Sequence, residues 1–170
     1  VREEDAHRKG RGKYLVRHVH VERAAVQLRA RGTKEAVWPN RESLAAQLVA
    51  AERLFPHLEV IGDFHSHPYP RAERVRQGRG WEFSTDDYEQ NKEWVAEMRE
   101  RGHEPRVGFI VAIGKKKRSG SQPPTQPGLP HVRFLHIDRC LIAVAAYRIL
   151  RDAWYDGKQI ELRVPAPLGA

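Results

Sequence analysis

Apolar and polar positions alternate at Leu15, Arg17, Val19 and Val21 within residues 13–30. That period predicts a half-buried strand, with a second around residues 25–28. Residues 1–12 carry no apolar period and read as a loop or frayed start. Over residues 40–56 the period lengthens, so that Leu44, Leu48, Ala51 and Phe55 share one helical face between a capping Asn40 and a terminating Pro56. From Leu58 to Phe64 the chain is almost continuously apolar over the length of a buried strand. Ser84 or Thr85 can open a second helix running to about Arg101, with Tyr88, Val95 and Met98 on its apolar side and Gly102 just beyond it. Residues 106–113 and 131–137 read as further strands. Residues 141–150 fit either period, and Asp156-Gly157 ahead of residues 159–164 predicts a closing hairpin. Two stretches lack both periods: residues 68–83, read as a surface loop, and residues 114–130, read as a mobile excursion, flexible over 115–130. Strands mixed with helices predict an α/β or α+β layer arrangement, and no internal repeat is visible.

At 170 residues the chain is expected to form a single domain, 1–170, with a real core. Its 30 Lys and Arg against 22 Asp and Glu give +8, concentrated near the N-terminus and at Lys115-Lys116-Lys117-Arg118. This balance favours acidic partners, nucleic acid included, but there is no zinc-finger spacing, aromatic ribonucleoprotein signature or long basic helix to make nucleic acid the expected ligand. The single cysteine, Cys140, excludes an intrachain disulfide and a Cys-rich zinc cluster, and suits a reducing, cytoplasmic setting. The longest apolar run, Leu141 to Tyr147, is too short to span a bilayer, so no membrane partner is expected.

The candidate chemistry lies at Gly62-Asp63-Phe64-His65-Ser66-His67-Pro68. In an extended segment, side chains at i and i+2 point the same way, so His65 and His67 can converge on one ion. Pro68 favours extended angles at His67. A carboxylate completes such a set, and Asp86 and Asp87 both stand at the start of the second helix. His18 and His20 share the i, i+2 spacing, but no carboxylate pattern accompanies them.

His-x-His-Pro followed by Ser84-Thr85-Asp86-Asp87, between an apolar strand and a helix, resembles the JAMM (MPN-plus) metalloprotease family, in its prokaryotic JAB form. The likeness covers about the middle two thirds of the chain, from the strand at Lys13 to Val107-Gly108-Phe109-Ile110 and beyond. It implies a cytidine-deaminase-like MPN fold, a central mixed sheet flanked by helices. The family's Ser-x-x-Asp spacing selects Asp87 over Asp86, so the resemblance implies that His65, His67 and Asp87 ligate zinc with water in a fourth, open position. Two imidazoles, one carboxylate and an open position also describe a catalytic rather than a structural zinc site. Ser84 matches the family serine that steadies the oxyanion or the bound water, and it serves equally as a helix N-cap. The implied activity is hydrolysis of an amide or isopeptide bond by a zinc-activated water at the C-terminal tail of a ubiquitin-like or small sulfur-carrier protein.

The sequence departs from the family at two places. The glutamate strand, roughly Glu-x-x-Gly-x-Leu-x-Gly, which supplies the general base, has no counterpart here and is expected upstream of Val1, so no base is assigned. The spacing from His67 to Ser84 is long, with four arginines in residues 68–83, which is read either as a substrate-positioning lid or as a passive insertion. Two other readings stand beside the peptidase. One is a catalytically silent MPN scaffold, against which retention of all three ligands argues. The other is a DNA-associated relative of the RadC type, which typically has Asn between its histidines and Ser-Gly after the proline, where this chain has Ser66 and Tyr69-Pro70.

Overall fold

The computed structural model describes residues 2–4, 16–24, 31–32, 37–38, 40–118, 124–151, 155–157 and 160–164. The chain forms two compact units, Val1–Leu58 and Glu59–Ala170. In the first, β1 (Arg2–Glu4) pairs antiparallel with β2 (Val16–His18), and β3 (Arg31–Gly32) with β4 (Val37–Trp38). Of the charged start, Arg2 to Glu4 are therefore part of a ladder, since strand pairing uses backbone groups and does not require an apolar period, and residues 5–12 lie outside the described residues. Of the strand expected over residues 13–30, Val16–His18 is extended and paired, Val19 to Ala24 are unpaired coil, and residues 25–30 lie outside the described residues.

Helix α1 (Arg41–Leu54) starts and stops where the pattern places it. Asn40 Oδ1 accepts the Ser43 N–H at 2.8 Å, satisfying one of the orphan donors of the first turn. At the other end the Phe55 N–H reaches the Ala51 carbonyl, and Pro56 follows.

The second unit is a mixed α/β layer. Its sheet runs β5 (Gly62–Tyr69), β6 (Val107–Lys115), β8 (Cys140–Ile149), β7 (Val132–Ile137), with the short β9 (Tyr155–Asp156) pairing the end of β8. The β5–β6 pair is parallel and the rest antiparallel, so the expected mixed sheet flanked by helices is present. A parallel pair needs a crossover, and here it carries two helices, α2 (Ala72–Gln77) and α3 (Thr85–Glu100).

Strand β5 begins at Gly62 rather than at Leu58. The Arg106 and Val107 N–H groups both go to the Ile61 carbonyl, and Pro105, the next residue back, has no N–H with which to extend the ladder. The histidines are thus inside the strand. Residues 68–83 are likewise not all loop. Ala72 and Val75, three apart, are buried in the core and Trp81 joins them, but a six-residue helix is too short to display a period. Residues 141–150 resolve to strand. The hairpin closes through β9 instead of residues 159–164, because the Leu162 N–H turns away to the Pro130 carbonyl. Of residues 115–130, the described part from Pro124 is tied to the sheet: the Gln126 amide gives and takes hydrogen bonds with the Phe134 backbone, at 3.0 and 2.8 Å, in place of a further strand.

Register explains where the helices go. His65 stands opposite Ile110, which stands opposite Ala145; His67 stands opposite Ala112, which stands opposite Ala143; Tyr69 stands opposite Gly114. Opposed residues share a face, so this face is floored by small residues beside the histidines. The buried core of Val75, Val95, Ile110, Val132, Phe134 and Leu141 fills it. Helix α2 comes closest at Gly114, where an added Cβ would lie 2.7 Å from the Arg71 carbonyl oxygen and 2.8 Å from the Ala72 Cα. No helix among the described residues is long and apolar enough to cross a membrane.

The contact at Gly114 is with backbone, which cannot rotate away. Gly114→Ala is expected to lower unfolding free energy by about 1–3 kcal/mol, measured by urea denaturation. An unchanged midpoint would show that α2 can lift from the sheet without loss.

Candidate metal centre

Strand β5 alternates as its period requires: Asp63, His65, His67 and Tyr69 are half-buried while Phe64, Ser66 and Pro68 are exposed. A proline inside a strand is tolerated here because β5 is an end strand of the sheet order. The carboxylate comes from the first turn of α3. Ser84 is the N-cap and Asp87 the third helical residue, and the two cap each other: Asp87 Oδ2 accepts the Ser84 backbone N–H at 2.7 Å and the Ser84 hydroxyl at 2.7 Å, while Ser84 Oγ accepts the Asp87 N–H at 3.2 Å.

These two elements bring three donors together. His65 Nε2 lies 3.5 Å from Asp87 Oδ1, and His67 Nε2 lies 3.3 Å from Asp87 Oδ2. One ligand atom from each of His65, His67 and Asp87 falls within 4.8 Å of the others, the one such group among the described residues. Asp86 is exposed and outside it. Of the pair His18 and His20, the His18 side chain lies outside the described residues and His20 is exposed.

No family model, no curated protein and no solved structure matches this chain.

The donor set itself fits a metal. His65 Nε2 is buried without a hydrogen-bond partner and faces Asp87, which is costly for a polar atom unless something fills the gap. His67 Nδ1 is 2.8 Å from the Gly80 carbonyl oxygen. The side chains of His65, His67 and Asp87 keep 27%, 20% and 18% of their surface exposed, so the group lies close to the protein surface. Two imidazoles and a carboxylate suit zinc.

Burial alone would raise the Asp87 pKa, but His65, His67 and both groups of Ser84 outweigh it and hold the carboxyl well below the usual carboxylate range. Burial likewise pulls His67 down, yet Asp87 and the Gly80 carbonyl overcome it and raise its pKa. Sequence reasoning passed over Asp63, two residues before His65 on the same strand face. Burial pushes its carboxyl up to about 6 against the opposing pull of His65. The i, i+2, i+4 run of Asp63, His65 and His67 was the available signal. It also passed over Tyr69 and Gly80, whose contact joins residues from either side of α2 and has no sequence period.

In the metal-free protein the two shifts act in opposite directions with pH. The depressed Asp87 pKa contributes stability that is present above the ordinary value of 3.8 and is lost as pH falls through the folded value. The raised His67 pKa contributes stability that is complete below 6.5 and is lost as pH rises through the folded value. Asp87→Asn is therefore expected to destabilise metal-free protein most between those two values, on the order of 1 kcal/mol, and less at pH 9. Denaturant titrations of both proteins across pH check this, and a difference that grows as pH rises from 6.5 to about 9 would contradict it.

Proposed function

We propose that this chain is a zinc-dependent peptidase or isopeptidase with an MPN-type fold, hydrolysing an amide bond at the C-terminal tail of a ubiquitin-like or sulfur-carrier protein. The observation that carries the reading is the convergence of His65, His67 and Asp87, with a buried His65 Nε2 that makes no hydrogen bond and faces Asp87 Oδ1 at 3.5 Å. In this reading those three residues hold the zinc. Bound there, zinc would supply Lewis acidity at a position open to solvent.

The surrounding residues favour an extended substrate. Among the described residues β5 pairs with β6 alone, so its other backbone edge runs beside the ligands, where a tail can add as a strand. Ser84 orients Asp87 through its hydroxyl and its N–H; to meet a developing oxyanion, that hydroxyl must turn from Asp87 Oδ2. The mixed sheet flanked by helices, the strand that carries the histidines and the helix start that carries Asp87 support the arrangement that the JAMM resemblance implies. The basic stretch at Lys115–Arg118 suits an acidic partner surface and would speed its approach.

Purified protein with its complete N-terminus is expected to bind one zinc ion, counted by inductively coupled plasma mass spectrometry, and to release a Gly-Gly-tailed ubiquitin-like fusion partner, followed by intact mass. His67→Ala and Asp87→Asn are each expected to lower cleavage at least about 100-fold together with zinc content. A native chain that takes up no zinc, or that cleaves equally well after chelation, would end the metallopeptidase reading. Salt-sensitive binding to duplex DNA, without any effect of ubiquitin-like proteins, would favour the DNA-associated alternative.

A further inference from the structure

The segment between β5 and α3 belongs to the metal centre. Resting on the zinc reading above, we infer that the turn ending α2 at Gly80, packed against Tyr69, forms a latch that fixes the His67 imidazole in its ligating form, with Gly80 as a positioning residue.

The geometry runs through four contacts. A carbonyl oxygen only accepts, so the 2.8 Å contact between His67 Nδ1 and the Gly80 oxygen places a hydrogen on Nδ1 and makes Nε2, the atom facing Asp87, the ring nitrogen left to ligate a metal. The Gly80 carbonyl is held where it is by the end of α2. There the Gly80 N–H reaches the Val75 carbonyl at 2.9 Å and the Arg79 N–H reaches the Arg76 carbonyl at 3.2 Å, the paired bonds of a Schellman turn. Val75 is fully buried, so this turn is anchored in the core.

That turn contains a misplacement of glycines that the latch explains. The left-handed position of a Schellman turn normally takes glycine, yet here Arg79 occupies it with φ of 46°, while its neighbours Gly78 and Gly80 avoid the left-handed region. Gly80 is required for space, whereas the same ring stands at ordinary contact distance from Gly78. A Cβ on Gly80 would stand 2.6 Å from Cε2 and 3.0 Å from Cζ of the Tyr69 ring, and one on Gly78 would stand 3.1 Å from the Arg74 carbonyl oxygen and 3.6 Å from Cε1 of the same ring. Tyr69 is on the same strand face as His67, two residues on, and its ring fills the space beside Gly80, so a residue without a side chain lets the Schellman turn bring this carbonyl to His67. The arginine at 79 carries the backbone strain, and its ion pair with Glu82 spans the turn.

Gly80→Ala tests the latch, because the added methyl must displace either the ring or the carbonyl. Zinc affinity, read by competition with a chromophoric chelator, is expected to fall 10- to 100-fold, the usual range for losing the outer partner of a ligating histidine. Gly80→Ala combined with Tyr69→Ala, which removes the obstructing ring, is expected to recover most of that loss. Unchanged affinity in the single variant, or no recovery in the double, overturns the inference. A second measurement does not depend on either variant folding: nitrogen-15 long-range spectra of the native metal-free chain are expected to show a protected, hydrogen-bonded Nδ1–H on His67, and a tautomer lacking it would overturn the inference. The two readings fail separately. A native chain with the expected tautomer but no zinc uptake sinks the peptidase and leaves the latch standing, whereas zinc uptake with an indifferent Gly80→Ala does the reverse.

Discussion

One carboxylate does two structural tasks at once in this protein. Asp87 closes the reciprocal cap with Ser84 that starts α3, and it presents both of its oxygens to the two histidines of β5. The start of the helix and the geometry of the donor set are therefore one constraint. A carboxylate at this position also benefits from the positive end of the helix dipole, which favours its ionised form before any metal is considered. Holding a ligand at a helix start, with its own hydrogen bonds already made, limits how far it can swing when the neighbouring imidazoles change charge.

The sheet is built to receive that helix. Ala112, Ala143, Ala145 and Gly114 line the face shared with His65, His67 and Tyr69, and larger side chains in those rows would lift the crossover away from β5. The aromatic residues then wall the site. Phe83 packs at 5.4 Å from His65 and 4.9 Å from Tyr147, whose hydroxyl donates to the Trp81 carbonyl. Buried rings on one side and solvent on the other give the donors a lowered dielectric while keeping one approach open.

How much of this could be read from residues alone follows from the range of each interaction. Both long helices were legible because their periods, caps and stops are local: Asn40 and Ser84 cap as expected, and Gly102, with φ of 83°, ends the second. The donor set was legible because i, i+2 on a strand and a helix start are local geometry too. What was not legible depends on partners far along the chain. The start of β5 is set by Pro105, the second strand of the hairpin is decided by Leu162 bonding to Pro130, and helix α2 exists because Ala72 and Val75 find the core. The glycine at 80 reads as an ordinary loop residue, and the Tyr69 ring explains it.

The parallel pairing of β5 with β6 has a kinetic consequence. It joins residues as far apart in sequence as Gly62 and Val107, whereas β7 and β8 meet across a turn as tight as Ile137 to Cys140. Closing the longer loop carries the larger entropic cost, so the hairpin is the natural early structure and the crossover a late one. The donors of His65, His67 and Asp87 are then assembled after the main barrier. An ion captured there would slow the escape of the native chain far more than it would hasten its formation, making the centre a lock on a finished fold rather than a seed for it.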